Sequence, residues 1–168
     1  AGNYTLKATY GNIETQGFGA PYYEGAKEFS IKKNESTNIS VICYLANVKV
    51  TTEYTELFKK YFTDYTVNIR PAGSTDISFG KNETRAAYVK PGKISIYLSG
   101  SKQQGNKVTF EAATIENAKA RQHYRLKFDV QAGGTELDVS FTDETERVPI
   151  TIDISDDALN TQPPFFTP

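Results

Sequence analysis

Apolar side chains recur at every second position, in short runs, along most of this chain. Tyr4, Leu6, Ala8 and Tyr10 share one face of an extended segment, Phe29 and Ile31 follow, and Ile39, Val41, Cys43 and Leu45 form a third run ahead of Val48 and Val50. The alternation returns at Tyr65, Val67 and Ile69, at Ile77 and Phe79, and at Ile94, Ile96 and Leu98. It continues through Val108 and Phe110, then Tyr124 to Val130, Leu137 to Phe141 and Val148 to Ile154. Successive side chains of a strand point to opposite faces, so this period buries one face of a sheet and leaves the other to solvent. Turn sequences separate the runs, among them "PGK" at 91–93, "GSKQQGN" at 100–106 and "AGG" at 132–134. Many short strands joined by turns predict an all-β protein built of antiparallel sheets.

Two features break the period. In "TELFKKYF", Leu57, Phe58, Tyr61 and Phe62 stand at helical spacing behind Thr55 as N-cap. We expect one short helix there, its apolar side covering an open end of a sandwich, with Lys59 and Lys60 toward water. Between Leu45 and Val48 the inward positions switch from odd to even. A one-residue slip exchanges the two faces, so the chain must bulge or pass from one sheet to another. We read the slip as a domain boundary, and 168 residues leave room for one ordinary domain or two small ones. Residues 1–46 then form the C-terminal part of a truncated N-terminal β-sandwich, with too few strands to close a core of their own. Residues 47–155 have the strand number and spacing of an immunoglobulin-like sandwich. Residues 156–168, with three of the seven prolines, read as a linker or tail. The expected architecture is tandem immunoglobulin-like or transthyretin-like Greek-key sandwiches, the first incomplete, with one short helix.

Charge narrows the partners. Lys and Arg number 19 and Asp and Glu 20, with no long run of one sign, so neither nucleic acid nor an anionic lipid surface is an expected partner. No apolar run has the length of a spanning helix, so nothing here is expected to span a membrane, and any export signal must lie outside the quoted chain. The chain has no Met and opens almost directly into "YTLKATY", so we read it as a processed or truncated piece. Cys43 is the single cysteine, and its phase with Ile39, Val41 and Leu45 makes it a small buried hydrophobe rather than a nucleophile or metal ligand.

The candidate sites are few. "GFGAPYYEG", at 17–25, sets Phe18, Tyr22 and Tyr23 around Pro21, and three aromatic rings in one loop can form a platform for the apolar face of a sugar. The plainer reading is a loop stiffened by Pro21 whose rings fold back onto the protein, and the lack of any Trp in the chain favours it. His123 is the only histidine, so a Ser-His-Asp arrangement would need it. No "GxSxG" accompanies it, and we read a strand-end histidine. Acidic residues gather at Asp143, Glu144, Glu146, Asp153, Asp156 and Asp157. They do not follow the EF-hand spacing, Arg147 interrupts them, and Glu144 and Glu146 stand too close on one strand to bracket a glycosidic bond, so solvated charge is the expectation. No catalytic residue, metal or cofactor is expected.

Several longer stretches resemble one family. "YTLKATYG", the "FGAPYYEG" loop, "EFSI", "CYLANVKV" and "FKKYFTDYTV" follow, in order, the pattern of Bacteroidetes surface lipoproteins of unknown function that are sometimes labelled cell-adhesion proteins. "ETRAAYVKPGKISIYLSG" and "HYRLKFDV" are similar to the second domain of that family, so the resemblance covers most of residues 2–155. It implies stacked β-sandwiches, export, and a lipidated cysteine upstream that holds the protein on the extracellular face of the outer membrane. It implies no active site. In such a bacterial setting the sequons at Asn3, Asn34, Asn38 and Asn82 are expected to stay unmodified. The expected function is a non-enzymatic cell-surface module, an adhesive or structural part of a larger surface lipoprotein, whose partners are surface proteins or glycans. The alternative is a glycan-binding domain that uses Phe18, Tyr22 and Tyr23.

Overall fold

Each alternating run folds as a strand, in a computed structural model that describes residues 2–103, 105, 107–130, 137–145 and 150–154. The elements are β1 (Gly2–Tyr10), β2 (Gly17–Phe18), β3 (Tyr23–Ile31), β4 (Ile39–Leu45), β5 (Val48–Tyr54), α1 (Glu56–Tyr61), β6 (Phe62–Pro71) and β7 (Ile77–Gly80). They continue as β8 (Ala87–Val89), β9 (Gly92–Lys102), β10 (Lys107–Ala118), β11 (Gln122–Val130), β12 (Leu137–Thr145) and β13 (Ile150–Ile154). Three sheets result, in the orders β1-β3-β4-β13, β10-β9-β6-β7 and β12-β11-β5-β8-β2. The fold is all-β and sandwich-like, with one short helix and no sheet closed into a barrel among the described residues.

Two cores follow from the pattern. The larger collects the inward faces of β5, β6, β9 and β11, where Val48, Val50, Val67, Ile69, Ile94, Ile96, Leu98, Leu126 and Phe128 are fully buried. The smaller is made by Ile39, Val41 and Cys43 of β4, with Leu6, Ala8, Tyr23 and Phe29 packed on them. Cys43 is buried among these and its thiol donates to the carbonyl of Ala8 at 3.7 Å, the place expected for a small hydrophobe. Burial pushes its thiol pKa up, away from reactive thiolate character.

The phase slip has a topological cause. Leu45 ends β4 in the first sheet and Val48 begins β5 in the third, so the chain changes sheets across Ala46 and Asn47. Two short exchanges tie the sheets' sequences together: β2 pairs with β8, and β13 pairs with β4.

The helix forms where its signals stand. Thr55 is its N-cap, accepting from the Phe58 amide at 3.2 Å and donating to Asp129 Oδ1 at 2.6 Å, and Phe58 is wholly buried. Leu57 is 52% exposed, contrary to its expected place on the apolar side. A six-residue helix turns only one narrow stripe inward, and Phe58 occupies it against Tyr54, Phe62, Tyr65 and Phe128, with ring centroids 4.8 to 5.9 Å away.

The antiparallel expectation also has one exception, since β5 and β11 run parallel, from His123 opposite Lys49 to Phe128 opposite Tyr54. The intervening strands of the second sheet supply the long crossover that parallel neighbours require. In β10 the fully inward residues are Ile115 and Ala118, whereas Phe110 is exposed; the register shifts between Glu111 and Ala113 and again between Ile115 and Ala118.

Candidate functional site

The loop at 17–25 works as a strap between the two cores. Gly17 and Phe18 pair with Tyr88 and Ala87 of β8, and the Gly19 amide donates to the Ala86 carbonyl at 3.2 Å. The Phe18 ring meets Phe79 edge-on at 4.9 Å, and the Arg85 guanidinium lies over it at 4.9 Å. Arg85 is held there by a bidentate pair with Glu83, at 3.0 and 2.7 Å. The hydrogen bonds from Arg85 hold the Glu83 carboxyl down at a pKa of about 2. Phe18 thus belongs to the larger core.

Tyr23 belongs to the smaller one. It opens β3, sits opposite both Tyr10 and Leu45, and packs on the cluster around Val41, its ring centroid 6.4 Å from that of Tyr10. Tyr22 lies between the cores. Its hydroxyl donates to Glu24 Oε2 at 3.2 Å, and its phenol pKa is raised by desolvation and then by that carboxylate. The three rings therefore go in separate directions, with Phe18 and Tyr23 committed to different cores.

The backbone of Tyr22 is anchored on Asn47, the residue at the change of sheets. The Tyr22 amide donates to Asn47 Oδ1, the Tyr22 carbonyl accepts from the Ala46 amide at 2.8 Å, and the Asn47 carbonyl accepts from the Arg121 amide at 3.0 Å. Asn47 is completely buried, the one buried polar residue among the described residues. Arg121 adopts a left-handed backbone, φ 69°, and its guanidinium lies 4.0 Å from the centre of the Tyr44 ring. Sequence reasoning placed no role on Asn47, Arg85 or Arg121. The available signal was the lone amide inside "YLANVKV", at the very point where the phase slips.

The remaining candidates stand on strands or lie outside the described residues. His123 stands at the start of β11, with Nε2 2.9 Å from Thr51 Oγ1. Asp143 and Glu144 sit on β12 opposite Tyr124 and His123, and Asp153 sits on β13 opposite Ser40. Glu146, Asp156 and Asp157 lie outside the described residues. Among the described residues, no group of three or more His, Cys, Asp or Glu side chains is placed to hold a metal ion. Asn3, on β1, accepts from the Ser30 hydroxyl at 2.7 Å, and Asn34 takes a left-handed turn conformation, φ 62°. A shallow groove of about 390 Å³ runs along the far end of the β1–β3 hairpin, lined by Asn3, Tyr4, Thr5, Glu28, Phe29 and Ser30. No helix among the described residues is long and apolar enough to cross a membrane.

The strand order, the strap and the "YLANVKV" crossover run through nearly all the sequence, and a family description covers the same span. Residues 1–156 match the domain of unknown function DUF4493. The chain belongs to the DUF4493 family. The family's description assigns no activity. No curated protein matches the chain. Among solved structures it is similar to a "putative cell adhesion protein" from Bacteroides uniformis ATCC 8492, at 10% identity and a TM-score of 0.43, over 82% of this chain and 76% of that one. A superposition that loose, at that identity, carries nothing about ligand or partner from one chain to the other.

Proposed function

We propose that this DUF4493 chain is a non-enzymatic cell-surface module, an adhesive or structural part of a larger bacterial surface lipoprotein. The observation that supports it most is how its reactive side chains are used. His123 is engaged with Thr51, Asp129 caps through Thr55, Glu83 clamps Arg85 over Phe18, and Asp76 pairs with Arg70 at 2.6 Å. These are contacts that hold strand ends and loops in place, and among the described residues none converges on a shared cleft with a nucleophile. An active site needs groups whose geometry meets at one reacting atom. The exposed apolar side chains support a contact role: Tyr4, Tyr10 and Ile31 stand out on the β1–β3 hairpin, Ile42 and Tyr44 on β4.

The test has two arms. Cells producing the full-length protein are fractionated and treated with external protease; the expected result is recovery in the outer membrane and cleavage from outside, and a protein confined to the cytoplasm would overturn the assignment. The purified chain is also screened on a glycan array with and without calcium, beside a Tyr22→Ala, Tyr23→Ala variant. Binding that is lost in the variant would replace the present reading with glycan recognition by the loop.

A further inference from the structure

The strand β1 ends its sheet, and on the side away from β3 it has no ladder partner among the described residues. Natural proteins blunt such edges with bulges, prolines or charges. Another long edge, β10, follows that practice, with two register shifts and with Lys107, Glu111 and Glu116 along it. β1 does not: its nine residues pair with β3 without a bulge, contain no proline, and carry the single charge of Lys7. Tyr4 and Tyr10 are 48% and 49% exposed on it. The apolar face of this hairpin is already packed on β4 through Leu6, Ala8, Tyr23 and Phe29, which leaves the edge as the place to extend.

We propose that the free edge of β1 pairs antiparallel with β1 of a second copy of this chain, in a two-fold dimer centred on Leu6. The pattern of side chains is self-complementary in that register. Tyr4 falls opposite Ala8 of the second copy, Tyr10 opposite Gly2, and Leu6 opposite its own equivalent, so large residues meet small ones and all nine residues pair. Tyr4, Leu6, Ala8 and Tyr10 of both copies keep to one face, which extends the apolar surface across the junction. Lys7 meets Thr5. Sliding two residues one way sets Lys7 against Lys7 and Tyr4 against Tyr10. A C2 interface of this kind uses the same patch on both copies and closes, so it gives a dimer rather than a filament. The pairing stands independently of the surface-module reading.

Sedimentation velocity over a wide concentration range tests it. The purified chain is expected to be in reversible monomer–dimer equilibrium. Thr5→Lys places two like-charge pairs across the junction, Lys against Lys7 twice, and is expected to weaken association about tenfold. The same substitution sets a lysine opposite Glu28 within one copy, so the monomer keeps its fold, which circular dichroism checks. The double variant Thr5→Lys, Lys7→Glu restores opposite charges at both positions and is expected to recover the dimer. A chain that stays monomeric at every concentration overturns the proposal, as does a dimer indifferent to Thr5→Lys or a double variant that shows no recovery.

Discussion

Gly25 is where the β1–β3 hairpin and β4 come closest, and replacing it with alanine tests how the smaller core is built. β3 pairs with β4 only through Tyr23 and Glu24, and at the next residue the hairpin leaves the ladder and lies against the β4 backbone. A Cβ on Gly25 would sit 2.3 Å from the Ile42 carbonyl oxygen, 2.9 Å from its carbon and 3.1 Å from Cys43 Cα. The nearest of these is about 1 Å inside ordinary contact, and all three are backbone atoms, which cannot rotate aside as a side-chain tip can. Overpacking of this kind costs roughly 1–3 kcal/mol, and the lost freedom of the unfolded glycine returns about 0.4–1 kcal/mol. The expected net loss for Gly25→Ala is centred on about 1.3 kcal/mol and reaches about 2.6 kcal/mol, and the central value lowers Tm by about 3–5 °C for a chain of this size. Gly80→Ala is the control: nothing lies within 4 Å of its Cβ and its backbone is not left-handed, so it should be neutral or slightly stabilising. Thermal unfolding by circular dichroism, with urea midpoints as a second probe, reads both variants. Equal stability of Gly25→Ala and Gly80→Ala would refute the close approach and with it this account of the smaller core.

Three further outcomes are expected. Glu83 has a folded pKa of about 2 against 4.5 when free, so its pairing with Arg85 stabilises fully above pH 4.5 and is lost as pH falls toward 2. Urea midpoints of the wild type should fall faster than those of Glu83→Gln over that interval, and parallel curves would remove Glu83 from the acid response. Asn47→Ala strands the half-buried Tyr22 amide and should cost about 1 kcal/mol or somewhat more, read as a lower urea midpoint; an unchanged midpoint would show that the strap is held elsewhere. Thr55→Ala removes the helix N-cap at about 1 kcal/mol and also frees Asp129, whose carboxyl pKa the Thr55 hydroxyl holds down. An NMR titration should therefore show the Asp129 pKa rise toward 3.8, and a value that does not move would assign the shift to the Val130 amide instead.

The strands were legible because period two is a local property. Ile94, Ile96 and Leu98, or Ile39, Val41 and Cys43, announce their buried face without reference to any neighbour, and the structure buries them. Thr55 and Phe58 were equally legible, since a cap and one inward residue are settled within a single turn. Strands of two and three residues were not: β2 and β8 are too short to show alternation, and they exist because Phe18 and Ala87 pair across a long stretch of chain. From its letters the loop at 17–25 reads as either a platform or a loop whose rings fold back onto the protein. Only the positions of Phe79, Arg85 and Asn47, all distant in sequence, show where its rings go.

By itself, the sequence determined the all-β class, the inward faces of β4, β6, β9 and β11, the helix and its cap, and the place where the alternation slips. Each rests on side-chain period or on contacts within a few residues, so each is written in consecutive letters. The tertiary structure alone decided which strands are neighbours, that β5 runs parallel to β11, that Leu57 faces solvent while Phe58 does not, and that β1 has no ladder partner but β3 among the described residues. Pairing and edge exposure depend on how distant segments compete for the same hydrogen-bonding partners, and that competition is settled only when the whole chain is folded.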